Sequence, residues 1–255
     1  MSRPAPLSAI VIAAGEAANI EPCLRTLAWC DERLVLDAFS ADGTPSAAPA
    51  GTRVVERRFT TFAAQRQDAL ARAAYDWVFF VDADERVSDA LAAEVRTRAG
   101  REAHAAYDVP RLNRIFGHWM RGSGWAPDHQ LRVMDRRRVS YPIERAVHEV
   151  PDVDGSIGVI EAPLVHHSYR TIREFRRRQR CYARMEAKSL YRAGVRRRRT
   201  AVVAQPLREI RRRLVEYNGY RDGWVGLQLA LLMAEYEWRL QRGLARCWRR
   251  RAASG

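Results

Sequence analysis

Residues 77–85 read Trp-Val-Phe-Phe-Val-Asp-Ala-Asp-Glu, and this stretch decides the fold. Its five apolar residues show no polar alternation, which is typical of a strand that is buried on both faces. Three carboxylates follow directly, Asp82, Asp84 and Glu85, and they repel one another unless a cation or solvent separates them. In open α/β sheets, ligands bind beyond the carboxyl ends of the strands. The stretch therefore predicts a buried parallel strand that delivers acidic side chains to a ligand site.

The chain before this strand alternates between apolar strands and helices. Strands are predicted at residues 7–14, 33–37 and 52–56, and helices at 20–29, 61–75 and from about 89 to 99. Asn19 and Ser88 are the predicted N-caps of the first and third helices. Strand–helix alternation with doubly apolar strands predicts an α/β fold, in which helices cover both faces of a parallel sheet.

The carboxylates after residue 81 suit a divalent cation. Mg²⁺ and Mn²⁺ accept adjacent oxygen ligands in an incomplete shell, which leaves places for water and for the oxygens of a diphosphate. Asp37 ends the second predicted strand in the same way, and a carboxylate there can bind ribose hydroxyls or a base. Each cluster also has a plainer interpretation, namely a solvated acidic turn after residue 81 and ordinary turn chemistry after Asp37.

The second half of the chain has a different pattern. Residues 105–165 contain short extended runs at 106–115, 130–134 and 157–165, separated by Gly, Pro and Trp. From residue 171 onward the pattern is helical, with helices predicted at 171–193, 202–215 and 224–251. We therefore expect an α/β domain over residues 1–168 and a basic amphipathic helical region over residues 169–255.

Charge is distributed unevenly along the 255 residues. The chain has 44 Lys and Arg against 30 Asp and Glu, a formal net charge of +14, yet residues 1–150 hold 20 of each sign. The whole excess therefore lies in the helical region, beside Leu, Tyr and Trp residues. This combination favours helices in a membrane interface, where anionic headgroups attract basic side chains. A solvated arginine face on packed helices and RNA binding are the alternatives, although the sequence has no RNA-binding motif.

Composition excludes several classes of protein. With 29% charged and 47% hydrophobic residues, the chain is neither a disordered protein nor a polytopic membrane protein. The apolar run at 7–14 is interpreted as a first strand, and the run at 224–234 is too short to span a membrane. The four cysteines are scattered without metal-ligand spacing, which indicates free thiols in a reducing compartment.

The motifs resemble a known family. Residues 7–27 (LSAIVIAAGEAANIEPCLRTL), 32–44 (ERLVLDAFSADGT) and 62–88 (FAAQRQDALARAAYDWVFFVDADERVS) resemble the nucleotide-sugar-binding domain of family 2 glycosyltransferases of GT-A fold. Residues 111–137 (RLNRIFGHWMRGSGWAPDHQLRVMDRR), 147–152 (VHEVPD), 164–175 (LVHHSYRTIREF) and 219–230 (GYRDGWVGLQLA) look like the lipopolysaccharide-core β-glucosyltransferase subgroup. The resemblance implies a GT-A catalytic domain, Rossmann-like in binding its nucleotide-sugar, over residues 1–168.

The resemblance also implies roles for the donor-side residues. Glu16 and Asp37 would contact the uracil and ribose, and Arg66 would lie near the nucleotide or diphosphate. Asp82 would lie by the donor sugar or ribose, and Asp84 would hold a Mg²⁺ or Mn²⁺ ion on the diphosphate. His148 and His166 are further candidates to approach the metal or diphosphate, with an ordinary structural role as the alternative for each.

On the acceptor side, Asp128 occupies the position of the family's acceptor-side acid. Inverting transfer requires one carboxylate to take the proton of the attacking hydroxyl, and a cation to stabilise the departing diphosphate. Glu149 competes for the role of base, and an arginine-paired loop aspartate is the plainer interpretation of Asp128. Trp125 is expected to stack on a sugar, with core packing as the alternative.

Together these features predict a metal-dependent, inverting glycosyltransferase. It would move a hexose, with glucose from UDP-glucose expected, to a lipid-linked envelope acceptor such as lipopolysaccharide core. It would act from the cytoplasmic face of the bacterial inner membrane, with an anionic membrane surface and no nucleic acid as partner. A catalytically inactive nucleotide-sugar binder is the alternative, because Ala14-Gly15 replaces the family's Lys-Asn and Phe39 replaces a glycine.

Overall fold

A computed structural model describes residues 5–101, 103–142, 151–196, 198 and 200–253, with side chains to residue 249. The chain forms two compact units. The first comprises Met1–Leu112 and His129–His166, and the second comprises Asn113–Asp128 and His167–Gly255. Two strands, Ala106–Ile115 and Leu164–Tyr169, each contain residues of both units. Asp128 consequently belongs to the same unit as the C-terminal helices.

Four parallel strands form the centre of the first unit, in the order β3-β2-β1-β4. They are β1 (Leu7–Ala13), β2 (Glu32–Asp37), β3 (Arg53–Glu56) and β4 (Trp77–Asp82). In β1, Ile10 lies opposite Leu34 of β2 and Phe80 of β4, and all three side chains are buried. The predicted parallel sheet of apolar strands is therefore confirmed.

Helices cover both faces of this sheet. They are α1 (Ala17–Arg25), α2 (Phe62–Arg72) and α3 (Asp89–Arg98). α1 and α3 contribute Leu24 and Leu91 to one apolar cluster, and α2 contributes Leu70 to the other. Because successive strand residues point to opposite faces, β4 supplies Phe79 to the first cluster and Phe80 to the second.

The predicted start of the first helix is wrong. Ser88 caps α3 as predicted and accepts a hydrogen bond from the Leu91 N–H at 3.2 Å. Asn19, however, lies within α1, which already begins at Ala17 after Glu16. Its side-chain amide donates to Glu16 Oε2 at 2.7 Å. The helix starts early because the Ala17 N–H donates to the Asp42 carboxylate at 3.1 Å, a contact from the loop after β2.

The remaining strands are short or antiparallel. These strands are β5 (Glu85–Arg86), β6 (Ala106–Ile115), β7 (His118–Trp119), β8 (His129–Asp135), β9 (Val139–Ser140), β10 (Asp152–Val153), β11 (Ile157–Val159) and β12 (Leu164–Tyr169). β8 runs antiparallel to β4, and β6 runs antiparallel to β8. The strand order along the sheet is β3-β2-β1-β4-β8-β6-β12-β5, and β7 and β11 each pair with β6. The extended run predicted at 157–165 divides into β11 and β12 because the Glu161 and Ala162 N–H groups donate to Glu94 instead.

Three helices dominate the second unit, namely α4 (Ile172–Arg192), α5 (Ala201–Arg211) and α6 (Gly223–Ala253). A π-helical turn (Arg212–Glu216) and a 3-10 turn (Gly219–Asp222) join α5 to α6. α4 packs on α6 through small and aliphatic side chains, including Ala187 and Leu240. No helix among the described residues combines the length and the apolar character that crossing a membrane requires.

Candidate active site

Arg132 makes the shortest contacts in the acidic turn at the end of β4, and Arg111 adds a second cation, with its Nη1 3.3 Å from Glu85 Oε1. Arg132, on β8, is 2% exposed, and its Nη2 donates to Asp82 Oδ2 at 2.6 Å and to Glu85 Oε1 at 2.7 Å. Its Nη1 donates to Asp82 Oδ1 at 3.2 Å, so the fork grips the Asp82 carboxylate with both nitrogens. The Asp82 N–H in turn donates to Glu85 Oε2 at 2.7 Å. Two of the three clustered carboxylates are therefore neutralised by the protein rather than by solvent.

The charges in this cluster determine its protonation states. Burial alone would raise the pKa of Asp82, but the Arg132 guanidinium outweighs it and holds that pKa well below its usual range. Glu85 is fully buried, and burial raises its pKa despite the same guanidinium. Burial alone would lower the pKa of Arg132, but the carboxylates of Asp82 and Glu85 outweigh burial and raise that pKa. Asp82 is consequently an anion held rigidly at the end of β4.

Asp84 is the third carboxylate and has a different partner. Its Oδ1 lies 3.4 Å from His166 Nε2, and both side chains are largely buried, at 14% and 12% exposed. β12 brings His166 here because it pairs antiparallel with β5, with His166 opposite Glu85. The fold thus brings together two predicted metal ligands, Asp84 and His166, that are 82 positions apart in the sequence.

An Asp–His pair is a donor set that fits Mn²⁺ or Mg²⁺. Among the residues that the structure describes, no three His, Cys, Asp or Glu side chains form a group that could hold a metal. A cation held by Asp84 and His166 would therefore need most of its ligands from water or from a bound phosphate. His148, the other predicted histidine, and Glu149, the competing base, lie outside the described residues.

The loop after β2 uses the predicted nucleotide ligand Asp37 for its own turn. Asp37 is fully buried, and its Oδ2 and Oδ1 accept hydrogen bonds from the Ser40 N–H at 2.7 Å and from Ser40 Oγ at 2.6 Å. The loop also touches the start of α1, since the Gly15 N–H donates to Ser40 Oγ and the Glu16 N–H to Thr44 Oγ1, both at 2.8 Å. Asp37 and Glu16 are thus part of one hydrogen-bonded loop pair at the ends of β1 and β2.

Phe39, in the same loop, has a strained backbone. Its φ is 57°, in the left-handed region that favours glycine, and its side chain is 59% exposed. A residue with a Cβ pays roughly 1–2 kcal/mol in that region. The turn thus keeps a glycine-type conformation although the residue there is Phe.

Arg66 lies in a groove of the first unit. The groove has a volume of about 490 Å³, and Arg132 and Tyr141 also line it. The Arg66 guanidinium lies over the Phe80 ring at 5.1 Å, and its charge helps to lower the pKa of Asp82. Arg66 thus adds positive charge near the end of β4, where a diphosphate would require it.

In the second unit, the Asn113 side chain positions Asp128. Asn113 is 1% exposed, and its Nδ2 donates to Asp128 Oδ2 and to the Trp125 carbonyl, both at 2.8 Å. Trp125 is half-buried, and its ring meets Phe175 edge-on with centroids 6.3 Å apart. The Arg213 guanidinium lies 4.5 Å from the Trp125 ring centroid. Trp125 therefore takes part in packing within this unit, while its stacking on a sugar remains a prediction.

The loop that carries Trp125 and Asp128 is anchored by C-terminal residues that the sequence patterns did not single out. Asp222 is 3% exposed and accepts hydrogen bonds from the Arg121 N–H at 2.7 Å and Ser123 Oγ at 2.8 Å. His118 Nε2 lies 3.3 Å from the same carboxylate. Arg213 Nη1 donates to the Ser123 carbonyl at 2.6 Å. Asp222 lies in the 219–230 stretch that carries part of the resemblance, but an aspartate followed by Gly223 is also ordinary turn chemistry and does not by itself indicate this anchor.

The glycosyl transferase family 2 model matches residues 8–148. The match covers more than half of the chain, from β1 to a point after β9. The chain belongs to glycosyl transferase family 2. The predicted α/β GT-A fold with a helical C-terminal extension is thereby confirmed.

The chain is similar to named glycosyltransferases and to a solved structure. LpsC of Rhizobium meliloti (strain 1021), a lipopolysaccharide core biosynthesis glycosyltransferase, is 30% identical over 165 residues, which are 60% of this chain and 59% of LpsC. An uncharacterized glycosyltransferase of Rickettsia felis is 24% identical over 202 residues, 74% of this chain and 71% of its own. The S. aureus TarS 1-349 structure in complex with UDP-GlcNAc has a TM-score of 0.48 and 13% identity, over 96% of this chain and 92% of that one. The chain thus spans less than two thirds of LpsC.

Replacing Arg132 by methionine is expected to destabilise this family 2 protein by about 3 kcal/mol, because the buried Glu85 would lose its partner at 2.7 Å and keep Arg111 at 3.3 Å. Urea unfolding at pH 7 measures the loss. The matched control is Arg25→Met, since Arg25 pairs with Glu21 while both side chains are exposed, at 73% and 47%, and an exposed pair contributes up to about 1 kcal/mol. Equal losses in the two variants would show that the buried cluster has no special role in stability.

Proposed function

We propose that the protein is a metal-dependent, inverting hexosyltransferase that uses a UDP-sugar. The observation that carries this proposal is the division of the acidic turn, in which Asp82 is held by Arg132 while Asp84 faces His166. Such a division leaves one carboxylate for polar contacts to the donor and another for a cation. Glucose is the proposed sugar, in keeping with the resemblance to the lipopolysaccharide-core β-glucosyltransferases.

The donor side of the proposal uses residues of the first unit. The loop pair that contains Glu16 and Asp37 would bind the uracil and ribose. The Asp37 carboxylate would then accept a hydrogen bond from a ribose hydroxyl in place of one from Ser40. Asp82 would accept a hydrogen bond from the donor sugar or ribose, and its low pKa keeps it an acceptor at neutral pH. Arg66 would face the diphosphate. Asp84 and His166 would hold Mn²⁺ or Mg²⁺, which supplies positive charge to stabilise the departing UDP.

The acceptor side of the proposal uses Asp128. Its carboxylate would take the proton from the acceptor hydroxyl as that oxygen forms a bond to the anomeric carbon. The bond between the anomeric carbon and the diphosphate oxygen breaks at the same time, and UDP leaves with that electron pair. Asn113 would keep Asp128 oriented through its 2.8 Å hydrogen bond. Glu149 is the alternative base, and His148 a further metal ligand.

We also propose that the acceptor is a lipid-linked saccharide of the cell envelope. The name of LpsC, a relative in lipopolysaccharide core biosynthesis, supports this acceptor class. An acceptor of that kind would bring the protein to the cytoplasmic face of the inner membrane as a peripheral protein. The excess of basic residues after residue 150 supports the same location, because that membrane surface carries anionic lipids.

A thermal-shift panel of nucleotide-sugars with and without Mn²⁺ tests the donor. We expect UDP-glucose at 100 times its Kd to raise the melting temperature by about 5–10 °C, and only with the metal. GDP-mannose is the matched control, because it carries the same diphosphate on a different base. No shift with any UDP-sugar would contradict the proposed activity. A shift without turnover on any acceptor would favour the alternative, a nucleotide-sugar binder that does not catalyse transfer.

A further inference from the structure

Four arginines of α4 lie on one face of the helix. Arg173, Arg177, Arg180 and Arg184 are spaced by four, three and four residues, which places them along a single stripe. They line a groove of about 650 Å³ together with Arg176 and Cys181. All four arginine side chains are exposed.

These arginines differ from their neighbours in their partners. On the same helix, Arg176 pairs with Glu235 at 3.0 Å and Arg178 with Glu174 at 3.2 Å. Within the part of the chain that the structure describes, none of the four groove arginines has a carboxylate within ion-pair distance. The described carboxylates of the unit therefore do not pair with this stripe, and the repulsion between its members favours an external anion.

Two more arginines and a tryptophan continue the stripe onto α6. A smaller groove of about 130 Å³ lies between α4 and α6, and Arg180 and Arg184 line it together with Trp238, Arg242 and Arg246. The Arg242 guanidinium lies 4.5 Å from the Trp238 ring centroid. We refer to the six arginines that line these two grooves without an ion pair as the arginine face: Arg173, Arg177, Arg180, Arg184, Arg242 and Arg246.

An exposed apolar row extends from the same groove along α6. Trp224, Leu231 and Trp238 recur every seven residues, so they share one side of the helix, and they are 68%, 52% and 37% exposed. Exposed tryptophan beside unpaired arginine is the composition of a helix at a membrane interface, where the ring enters the headgroup region and the guanidinium binds phosphate. A soluble anion would neutralise the arginines but would leave this apolar row in water.

We infer that the arginine face and the Trp224–Leu231–Trp238 row form a docking surface for a bilayer that contains anionic phospholipid. The lipid phosphates would bind in the two grooves, and the row would enter the headgroup layer. The inference deepens the proposed function, because it assigns the membrane partner to particular residues of α4 and α6. It differs from that function in its requirements, since lipid binding by these helices needs neither the donor nor a metal.

Sedimentation of the full-length protein with vesicles tests the surface. We expect binding to phosphatidylglycerol–phosphatidylcholine vesicles, weaker binding in high salt and little binding to phosphatidylcholine alone. The variant Arg173→Gln/Arg177→Gln/Arg180→Gln/Arg184→Gln is expected to lower the vesicle partition coefficient by about 600-fold, since each of the four basic residues at an anionic surface contributes roughly fivefold. Trp238→Ala is expected to weaken binding at low and high salt alike.

The matched control removes four exposed arginines from the first unit, in the variant Arg25→Gln/Arg58→Gln/Arg72→Gln/Arg101→Gln. It carries the same net charge, so an equal loss of vesicle binding would overturn the inference and assign the attraction to overall charge. Stabilisation of the wild type by inorganic pyrophosphate without vesicle binding would also overturn it, in favour of a soluble phosphate. Tighter binding to a homopolymeric RNA than to vesicles would overturn it in favour of nucleic acid.

The UDP-sugar thermal-shift panel, applied to the same variants, separates the two proposals. Retained donor stabilisation together with lost vesicle binding supports the docking surface, and it also shows that the variant is folded. Vesicle binding without donor stabilisation in the wild type would contradict the proposed transferase activity and leave the docking surface supported. Loss of donor stabilisation in the α4 variant but not in the first-unit control would overturn the inference, because the α4 arginines would then take part in donor binding.

Discussion

Asp84→Ala is expected to reduce sugar transfer by about 10³-fold or more and to abolish the stabilisation that Mn²⁺ adds to UDP-sugar binding. A cation at the diphosphate supplies several kcal/mol to the departing UDP, and each 1.4 kcal/mol is a factor of ten in rate. Asp84 is the clustered carboxylate that Arg132 does not hold, and its Oδ1 lies 3.4 Å from His166. Initial rates and the thermal shift with and without Mn²⁺ measure the two effects.

Two neighbouring histidines supply the control for that experiment. His166→Ala should weaken metal dependence in the same direction as Asp84→Ala, because His166 is its partner. His167→Ala changes the same residue type one position later, in the second unit, and should leave the Mn²⁺ concentration for half-maximal activity unchanged. An Asp84→Ala protein that still needs Mn²⁺ and still transfers sugar would show that the metal binds elsewhere.

Asp128→Asn is expected to lower the turnover number by about 10²–10⁴-fold while UDP-sugar binding stays unchanged. Removing a positioned general base has an effect of that size, and asparagine keeps the shape of the side chain without its basicity. Steady-state kinetics give the turnover number, and calorimetric titration with the donor gives the Kd. Unchanged donor affinity with lost turnover is the pattern that identifies a residue acting only in the chemical step.

Asp154→Asn is a suitable control, because Asp154 is an exposed aspartate of the first unit. Glu149→Gln belongs in the same series, since Glu149 is the competing base. A large loss of turnover in Glu149→Gln combined with near-normal Asp128→Asn would transfer the role of base to Glu149. Asn113→Ala is expected to give a smaller loss than Asp128→Asn, because it removes the hydrogen bonds to the Asp128 carboxylate and the Trp125 carbonyl but keeps the carboxylate itself.

The sequence predicted the parts of the site that depend on local pattern. The doubly apolar stretch at 77–81 predicts a buried parallel strand, and Asp82 and Asp84 follow because the chain must leave the sheet there. The same reasoning placed Asp37 at the end of the second strand. These predictions require only the period of a strand and the direction of a parallel sheet.

The sequence did not predict the partners of these carboxylates. Arg132 meets Asp82 only because β8 pairs antiparallel with β4, and nothing in a run of residues at 130–134 indicates that neighbour. The prediction of Asn19 as N-cap was wrong for a similar reason, since a hydrogen bond from the Ala17 N–H to Asp42, in the loop after β2, sets the start of α1. Non-local pairing decides which of several equivalent side chains is used, and one sequence does not contain that information.

The anchoring of the loop at 113–128 has a consequence for engineered and natural recombination. The family 2 match ends at residue 148, yet Ser123 in this loop is held by Asp222 and Arg213, well beyond that limit. A chimera that joins the family 2 region to the helices of a relative would separate these partners. Under the proposed function, donor specificity is expected to move between homologues with the first unit alone, whereas the loop at 113–128 and the C-terminal helices have to be inherited together.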